Sequence, residues 1–545
     1  MRRLCLTIAV LALVASACNA TDTAGTSSSL TGSTDASLRS SVATSTASTT
    51  PVTTTDLVSS STVGEVPNVA DGSSSLHWGP CGPDNPYVLL GNAECASLAV
   101  PLDHDDPDAG TIDLALVRRR AKASDERIGV LLYNPGGPAA SGTHVVLDTW
   151  WSDVFSRDLI QRFDIVSWDP RGVGEGTEVS CGDEPSLLGL LDPTPETVEE
   201  AEQIEEQYRE FIDACEEKSG HLLPHLSTVS TARDMDLIRE ALGEEQISYL
   251  GQSYGAGLGA VYATLFPDRT RAAVLDGAFT FTEKFDNPYA RADKALQEAL
   301  AQCAADIECP FHSGGDPFSA FDDLMESLDA TPLMVNDSEL MEDDFEVGLA
   351  DALFAVRVDL YREETWPDVM QTLADARNGD GSGMTGLRWM LTYDSQTALA
   401  MECLDFPRQP AVQAETRVAG QPEDAPRLAR LTGLWIGTCA LWPVEPDPPP
   451  PLTAAGAGPI LLIGTTGDVA TTLAMARGLA DELDDGVLLI VERNAHTGYA
   501  PSRQGSAVKD TQCVTSTVDN YLINLETPVS GSVCTHGDPT LKPPE

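Results

Sequence analysis

Basic residues are scarce in this sequence. Only 33 lysines and arginines stand against 84 aspartates and glutamates in 545 residues, which gives a formal net charge of −51. Such an excess of negative charge repels nucleic acid phosphates and anionic lipid surfaces at long range. Nucleic-acid binding is therefore set aside as a function.

Two further absences narrow the possibilities. No C-x-x-C pair occurs and the eight histidines are scattered, which argues against a zinc site. The apolar run over residues 4–15 is too short to span a membrane. We expect no metal and no other cofactor, and no membrane contact except through a lipid anchor.

The N-terminal residues predict export. Two arginines, the apolar run and several small residues lead to Cys18, as in a secretory signal. Residues 14–18 resemble a bacterial lipobox, whose cysteine is acylated, although Ala15 stands where leucine is usual. We predict that residues 1–18 are a lipoprotein signal peptide and that the protein is extracellular, anchored to the outer face of the cell membrane. The alternative is an ordinary cleaved signal and a secreted protein.

The next segment is dominated by threonine and serine. Residues 19–75 contain almost no aromatic side chains, so they cannot bury enough apolar surface to fold. We predict that they form a disordered tether.

The cysteines suit an oxidising compartment. Of twelve, Cys5 lies in the signal and Cys18 is the lipid acceptor, which leaves an even number, ten. Sequence alone does not fix how they pair. Pairing neighbours along the chain gives the candidate disulfides Cys81–Cys95, Cys181–Cys215, Cys303–Cys309, Cys403–Cys439 and Cys513–Cys534.

Hydrophobic patterning predicts an α/β fold with a mostly parallel central sheet. Two β-rich runs, 98–102 and 112–117, suit an antiparallel pair at a sheet edge. Short apolar runs separated by helix-length stretches then follow, as in βαβ units whose strands are buried on both faces. Such runs lie at 129–134, 163–168, 247–250, 272–275, 459–465 and 487–491.

The stretch between the fourth and fifth of these runs is helical in pattern and has no convincing parallel strand. We predict a hydrolase core over 76–280, an inserted helical cap over 281–426, and a second part of the core over 427–545. A chain of this length suits one large domain with such an insertion.

A G-x-S-x-G sequence lies at 251–255, directly after an apolar strand and before a helical run. A sharp strand-to-helix turn presents the serine hydroxyl to a base and directs the next backbone N–H at the developing oxyanion. Ser253 is therefore the predicted nucleophile and Tyr254 the predicted first oxyanion donor. The second donor is expected at Gly136 or Gly137, of which we favour Gly137, in the N-P-G-G-P loop after the first parallel strand.

In this architecture the acid and the base follow the serine in that order. Asp468 comes just after the apolar run that ends at Thr465, and His496 follows the last predicted strand. Both lie at strand ends that can approach Ser253. The predicted catalytic residues are therefore Ser253, Asp468 and His496, whereas the W-D-P-R-G sequence at 168–172 is interpreted as a structural turn with an ion pair.

These motifs, in this order, resemble the secreted tripeptidyl aminopeptidases and related cell-envelope serine proteases of actinobacteria, near the proline iminopeptidase branch of α/β hydrolases. The resemblance extends from about Trp78 to Cys534, with a distinctive C-terminal segment at 420–521 that carries the acid and the base. Two positions depart from the family pattern. Ala139 and Ala140 stand where further glycines are common, and Val469 stands where proline is common.

The resemblance implies a serine peptidase that removes short peptides from free N-termini of peptides or proteins. It also implies acidic cap groups that hold the substrate amine, Asp405 being one of many candidates. An esterase or lipase on the same scaffold is the chief alternative, because fold does not fix substrate. A surface-anchored binding protein with a vestigial triad is a second alternative.

Overall fold

The computed structural model describes the chain from residue 76 onward, with gaps. The described residues are 76–81, 93–148, 151–174, 177–182, 195, 197–281, 289–335, 345–384, 386–408, 426–428, 438–499, 511–535 and 537–544. The predicted signal peptide, Cys18 and the tether lie outside them.

Eleven described strands form one sheet in the order β1-β2-β3-β5-β4-β6-β7-β10-β11-β12-β13. The pairs from β5 to β12 are parallel, and β1, β2, β3 and β13 add antiparallel pairs at the two edges. The strands are β1 Gly79–Pro80, β2 Ala93–Pro101, β3 Thr111–Arg119, β4 Gly129–Asn134, β5 Phe163–Trp168, β6 Ile247–Gln252, β7 Thr270–Asp276, β10 Ile460–Thr465, β11 Gly486–Glu492, β12 Ser532–Thr535 and β13 Leu541–Lys542.

The central strands are apolar because both faces of the sheet are covered. Every residue of β4 is buried. Val130 and Leu132 pack in one apolar cluster, and Leu131 and Tyr133 pack in another. Since successive strand side chains point to opposite faces, these clusters lie on the two sides of the sheet.

Helices connect the strands and cover the sheet. Those outside the insertion are α1 Gly142–Leu147, α2 Trp151–Val154, α3 Arg157–Arg162, α4 Val198–Ser219, α5 Thr228–Ala241, α6 Tyr254–Leu265, α12 Leu473–Glu482 and α13 Gln512–Asn524. Thr197 caps α4 by accepting the backbone N–H of Glu200, whose side chain accepts the N–H of Thr197 in return.

The chain leaves the sheet after Asp276 and returns at Ile460, and the helical insertion lies between. It contains the antiparallel pair β8 Leu333–Val335 and β9 Phe345–Val347. Its helices are α7 Ala290–Ala305, α8 Pro317–Ala330, α9 Leu349–Asp359, α10 Trp366–Arg377 and α11 Gly386–Asp405. We call this insertion the cap.

One helix outside the insertion, α4, packs with the cap. Ile204 and Phe211 of α4 share an apolar cluster with Leu296 of α7 and Leu353 of α9. The apolar face of α4 is thus buried by cap helices that follow it by about a hundred residues. A boundary at residue 281 describes the chain connectivity but divides this cluster.

Ten described cysteines form five disulfides, consistent with an oxidising, extracellular compartment. The bond from α11 to Cys439 fastens the last cap helix to the chain on its way back to the sheet. Among the residues placed by the structure, no helix is both long and apolar enough to cross a membrane. The bonded pairs are Cys81–Cys95, Cys181–Cys215, Cys303–Cys309, Cys403–Cys439 and Cys513–Cys534.

The W-D-P-R-G segment contains a fully buried ion pair. Arg171 donates Nε and Nη2 to the two carboxylate oxygens of Asp234 on α5, each at 2.7 Å. Its other hydrogens reach backbone carbonyls of Leu102 and His225, and His104 lies 2.8 Å from Asp234 Oδ1. The guanidinium therefore joins three separate chain segments beneath the sheet edge.

Replacing Asp234 by asparagine should destabilise the fold by about 3–5 kcal/mol, because the buried Arg171 charge would lose its carboxylate. The measurement is urea unfolding. The control is Glu205→Gln, which removes the partly exposed partner of Arg209 and should cost less than about 0.5 kcal/mol. A loss below about 1 kcal/mol in Asp234→Asn would contradict this account.

Candidate active site

Ser253 lies between β6 and α6 with φ 55° and ψ −123°, a conformation that non-glycine residues rarely adopt. The neighbouring glycines permit it. A Cβ at Gly251 would lie 2.1 Å from the carbonyl oxygen of Gly255, and one at Gly255 would lie 2.6 Å from that of Asn134. The turn holds the hydroxyl at the start of a twelve-residue helix, where backbone N–H groups favour negative charge.

The N-P-G-G-P loop packs against this turn. A Cβ at Gly136 would lie 3.0 Å from Cβ of Ser253. The N–H of Gly136 donates to Asn134 Oδ1 at 2.9 Å, so it is already engaged. The N–H groups of Gly137 and Tyr254 form no hydrogen bond within the described part of the chain. Gly137 is therefore the better of the two candidate glycines for a second oxyanion donor.

Asp468 follows β10 and is 1% exposed. Its carboxylate accepts the backbone N–H groups of Ala470 and Thr471 at 2.8 Å and that of Thr497 at 3.2 Å. The hydroxyl of Thr471 donates at 3.1 Å. These donors fix the orientation of the carboxylate.

The structure brings His496 to Asp468. Nδ1 of the imidazole lies 3.0 Å from both carboxylate oxygens, which assigns the proton to Nδ1 and leaves Nε2 as the base. A Cβ at Gly277 would lie 3.5 Å from His496 Cε1, and the preceding Asp276 accepts the N–H of Ser253. The imidazole and the serine therefore face the same strand end.

No hydrogen bond joins the Ser253 hydroxyl to a described side chain, His496 included. Contacts of this kind are often long before substrate binds. The hydroxyl of Thr471, 3.3 Å from Nδ1, is a further neighbour of the imidazole that the sequence analysis did not identify.

The cap reaches the loop that carries His496. The backbone N–H of His496 donates to the carbonyl of Tyr361 at 2.7 Å, and the Tyr361 ring lies 4.9 Å from the imidazole ring. Arg362 and Ala495 form an antiparallel bridge. The loop of His496 is thus paired with the cap segment that follows α9.

Asp169 binds residues that follow the N-P-G-G-P loop. It accepts the hydroxyl of Ser141 at 2.7 Å and both the N–H and the hydroxyl of Thr143 at 3.0 and 2.9 Å. Burial raises the pKa of Asp169 although these donors oppose the shift. The loop also contains Ala139, buried at φ 68°, in a conformation that glycine adopts more easily.

Two cap carboxyls lie beyond the oxyanion side of the site. Asp405 accepts the N–H and the hydroxyl of Thr228 at 2.7 and 2.6 Å, and this hydroxyl lies 2.5 Å from the Tyr254 hydroxyl. The carboxylate of Glu402 forms no hydrogen bond and no ion pair with a described residue, although the Arg357 charge acts on it. Burial raises the pKa of both carboxyls to about 7.

No group of three or more His, Cys, Asp or Glu within the described ranges is arranged to hold a metal ion. The arrangement is that of acyl transfer: a serine on a strand-to-helix turn, an imidazole oriented by a carboxylate, and backbone donors beside the serine. The fold and the site define an α/β-hydrolase of the serine hydrolase class.

Comparison with known proteins gives the family. Residues 129–305 match the family described as alpha/beta hydrolase fold, and residues 430–534 match the one described as TAP-like protein. The chain is 32% identical over 491 residues to the serine protease Hip1 of Mycobacterium tuberculosis, covering 84% of this chain and 91% of that protein. It belongs to the α/β-hydrolase family of serine hydrolases with a TAP-like C-terminal segment.

Two further relatives have different names. A tripeptidyl aminopeptidase of Streptomyces lividans is 29% identical over 482 residues, covering 85% of this chain and 87% of that protein. A carboxylesterase B of Mycobacterium tuberculosis is 31% identical over 475 residues, covering 81% and 86%. Peptidases and an esterase thus occur at similar distances from this chain.

Asp468→Asn should lower kcat by about 10³–10⁴-fold with little change in KM, because the amide disfavours the Nδ1 tautomer of His496. Steady-state hydrolysis of a preferred substrate measures it. Asp481→Asn, at an exposed position of α12, is the matched control and should retain wild-type kcat. A loss of less than tenfold in Asp468→Asn would remove Asp468 from the triad.

Proposed function

We propose that this serine hydrolase is an aminopeptidase that removes tripeptides or other short peptides from free N-termini. The proposal rests on the surroundings of the Glu402 carboxylate. This carboxylate has no hydrogen-bond or ion-pair partner among the described residues and lies on the cap helix that borders the predicted site. A peptide ammonium group supplies the partner that it lacks.

The reaction is acyl transfer to water. Ser253 attacks the scissile carbonyl while His496 takes its proton, and the N–H groups of Gly137 and Tyr254 bind the oxyanion. His496 then protonates the leaving amine, and an acyl-enzyme remains. Water, deprotonated by His496, hydrolyses the ester and releases the short peptide.

Contacts connect Glu402 to the triad. The Tyr361 ring lies against the His496 imidazole, and the guanidinium of Arg357 lies 5.7 Å from the centre of the same ring. The Arg357 charge acts on Glu402, and the Glu402 charge in turn acts on the phenol of Tyr254. The Glu402 charge is therefore within electrostatic range of Tyr254 and of the Arg357 guanidinium beside Tyr361.

Glu402 and Asp405 differ in how they are used. Asp405 is 1% exposed and holds Thr228 at the start of α5, so its oxygens serve the fold. Glu402 lies deep among protein atoms yet keeps part of its surface open to solvent, as a group that lines a cavity does. Asp359 of α9 shares this combination, but the charge next to it is Asp368, whereas the Glu402 charge acts on Tyr254 at the site. This favours Glu402 as the ammonium-binding residue.

The same residue argues against the esterase alternative. Burying a carboxylate without a partner is costly, and a neutral ester would leave that cost unrelieved. A substrate with a free amine forms an ion pair there on binding. The similarity to a carboxylesterase keeps ester hydrolysis as the competing outcome of the test below.

We also propose that the enzyme acts outside the cell, on the outer face of the membrane. The five disulfides support an extracellular location. Anchoring would come from acylation of Cys18 after export, with residues 19–75 as the tether. Phase partitioning in detergent of wild type and Cys18→Ser tests the anchor.

Three substrates separate the functions: a fluorogenic tripeptide with a free amine, the same tripeptide acetylated, and a short-chain nitrophenyl ester. An aminopeptidase should cleave the free peptide at least about a hundredfold faster than the acetylated one, since one buried ion pair is lost. Activity must disappear in Ser253→Ala. Ester turnover without peptide cleavage would favour the esterase, and no turnover with any of the three would favour the binding protein.

Glu402→Gln should raise KM for the free-amine tripeptide by about tenfold to a hundredfold, equal to one charged hydrogen bond. In wild type this KM should rise as pH falls below about 7, because the carboxyl is then protonated while the amine stays charged. The variant should lose this dependence. Glu326→Gln, exposed on α8, is the control; equal effects on the acetylated peptide would refute amine binding.

A further inference from the structure

A further buried carboxylate lies beside the turn of Ser253. Asp276 ends β7, the strand beside the nucleophile strand, and has no exposed surface. No arginine or lysine of the described ranges forms an ion pair with it. A buried charge without a cation is costly to maintain, so its hydrogen bonds indicate what it does.

The Asp276 carboxylate accepts hydrogen bonds from the loop that carries His496, which we call the histidine loop. Oδ1 of Asp276 accepts the N–H of Gly498 at 2.7 Å, and Oδ2 accepts the N–H of Tyr499 at 2.9 Å. Gly498 follows His496 by two residues. One carboxylate thus holds two successive peptide units of the loop that carries the base.

The same residue holds the nucleophile. Its backbone carbonyl accepts the N–H of Ser253 at 2.8 Å, and its Oδ2 accepts Nε2 of Gln252 at 3.2 Å. Tyr133 on β4 orients this amide by donating its hydroxyl to Gln252 Oε1 at 3.0 Å. Asp276 is therefore bonded on one side to the serine turn and on the other to the histidine loop.

We propose that Asp276 is a positioning residue for the triad, whose ionised carboxylate fixes the His496 loop relative to Ser253 and stabilises the imidazolium formed during acylation. The inference rests on the triad of the proposed function but not on its peptide substrate. Asp468 orients the imidazole directly, whereas Asp276 acts through the backbone and through its charge.

The surrounding charges determine the pH dependence. Burial raises the pKa of Asp276 to about 6, against the backbone donors of Gly498 and Tyr499, the Gln252 amide and the attraction of His496. The other titratable groups that face it are the phenols of Tyr133 and Tyr499. Burial raises the pKa of both, assisted by the Asp276 charge at Tyr133 and by the Asp519 and Asp276 charges at Tyr499, so both phenols stay neutral where Asp276 titrates. Asp276 therefore becomes ionised in the range in which a histidine base becomes active.

Two coupled groups that must both lose a proton give a steeper acid limb than one. The test is the rate of Ser253 labelling by a neutral fluorophosphonate between pH 5 and 8. In this reaction the serine oxygen displaces fluoride from phosphorus while the base takes the serine proton. The probe has no amine, so a failure of the aminopeptidase proposal does not affect the result.

For Asp276→Asn we expect a labelling rate about tenfold to a hundredfold lower at pH 7, as for the loss of one charged hydrogen bond. The acid limb of its log rate against pH should be shallower than that of wild type by about one unit of slope. Asp519→Asn is the matched control. That carboxyl is half-buried and burial raises its pKa to about 7, but it accepts the Ser156 hydroxyl rather than an N–H of the histidine loop. The variant should keep the wild-type profile.

A lower thermal midpoint with an unchanged labelling rate and slope would overturn the proposal, since the role would then be structural. If Asp276→Asn does not fold, the pH profile of Ser253 labelling in the wild-type protein tests the proposal by itself. A steep limb, with a slope clearly above 1 below about pH 6, supports the coupled carboxylate. A slope of 1 throughout the acid limb overturns it.

Discussion

The backbone conformation of Ser253 is the constraint on which the rest of the site depends. A positive φ in a residue with a side chain is costly and persists only where the surroundings enforce it. Here the enforcement comes from three glycines without side chains, Gly136, Gly251 and Gly255, and from the hydrogen bond between the Ser253 N–H and Asp276. The oxyanion loop can approach the serine, and the next N–H can point at the substrate, only because this turn is so tight.

The motifs at the strand ends could be predicted from the sequence because they are local. The glycines at 251 and 255, the serine between them and the loop at 134–138 form a recognisable pattern next to a buried strand. Asp468 and His496 were predicted from their order in the chain and their position after a strand, and the structure joins them by a hydrogen bond. The serine peptidase family is confirmed by the relatives.

The supporting carboxylates could not be predicted, because their contacts join distant parts of the chain. Asp276 binds the His496 loop more than 220 residues later in the chain, and Asp405 binds Thr228 177 residues earlier. Among 84 acidic residues, nothing local distinguishes Glu402, Asp276 and Asp169 from the charges of a solvated surface. Their importance arises from burial, which only the fold creates. The packing of α4 with the cap could not be predicted from the sequence either. Its pattern of acidic and apolar positions suits any helix that covers a protein core.

The bridge between Arg362 and Ala495 couples the position of the cap to the position of the His496 loop. A cap that lifted far enough to break it, together with the bond from the His496 N–H to Tyr361, would release the backbone on which the imidazole depends. An open enzyme would then admit large substrates while being unable to acylate on them. If the triad acts as proposed, acylation would then require the closed cap, and a molecule held beneath the cap away from the serine would inhibit by separating His496 from Ser253.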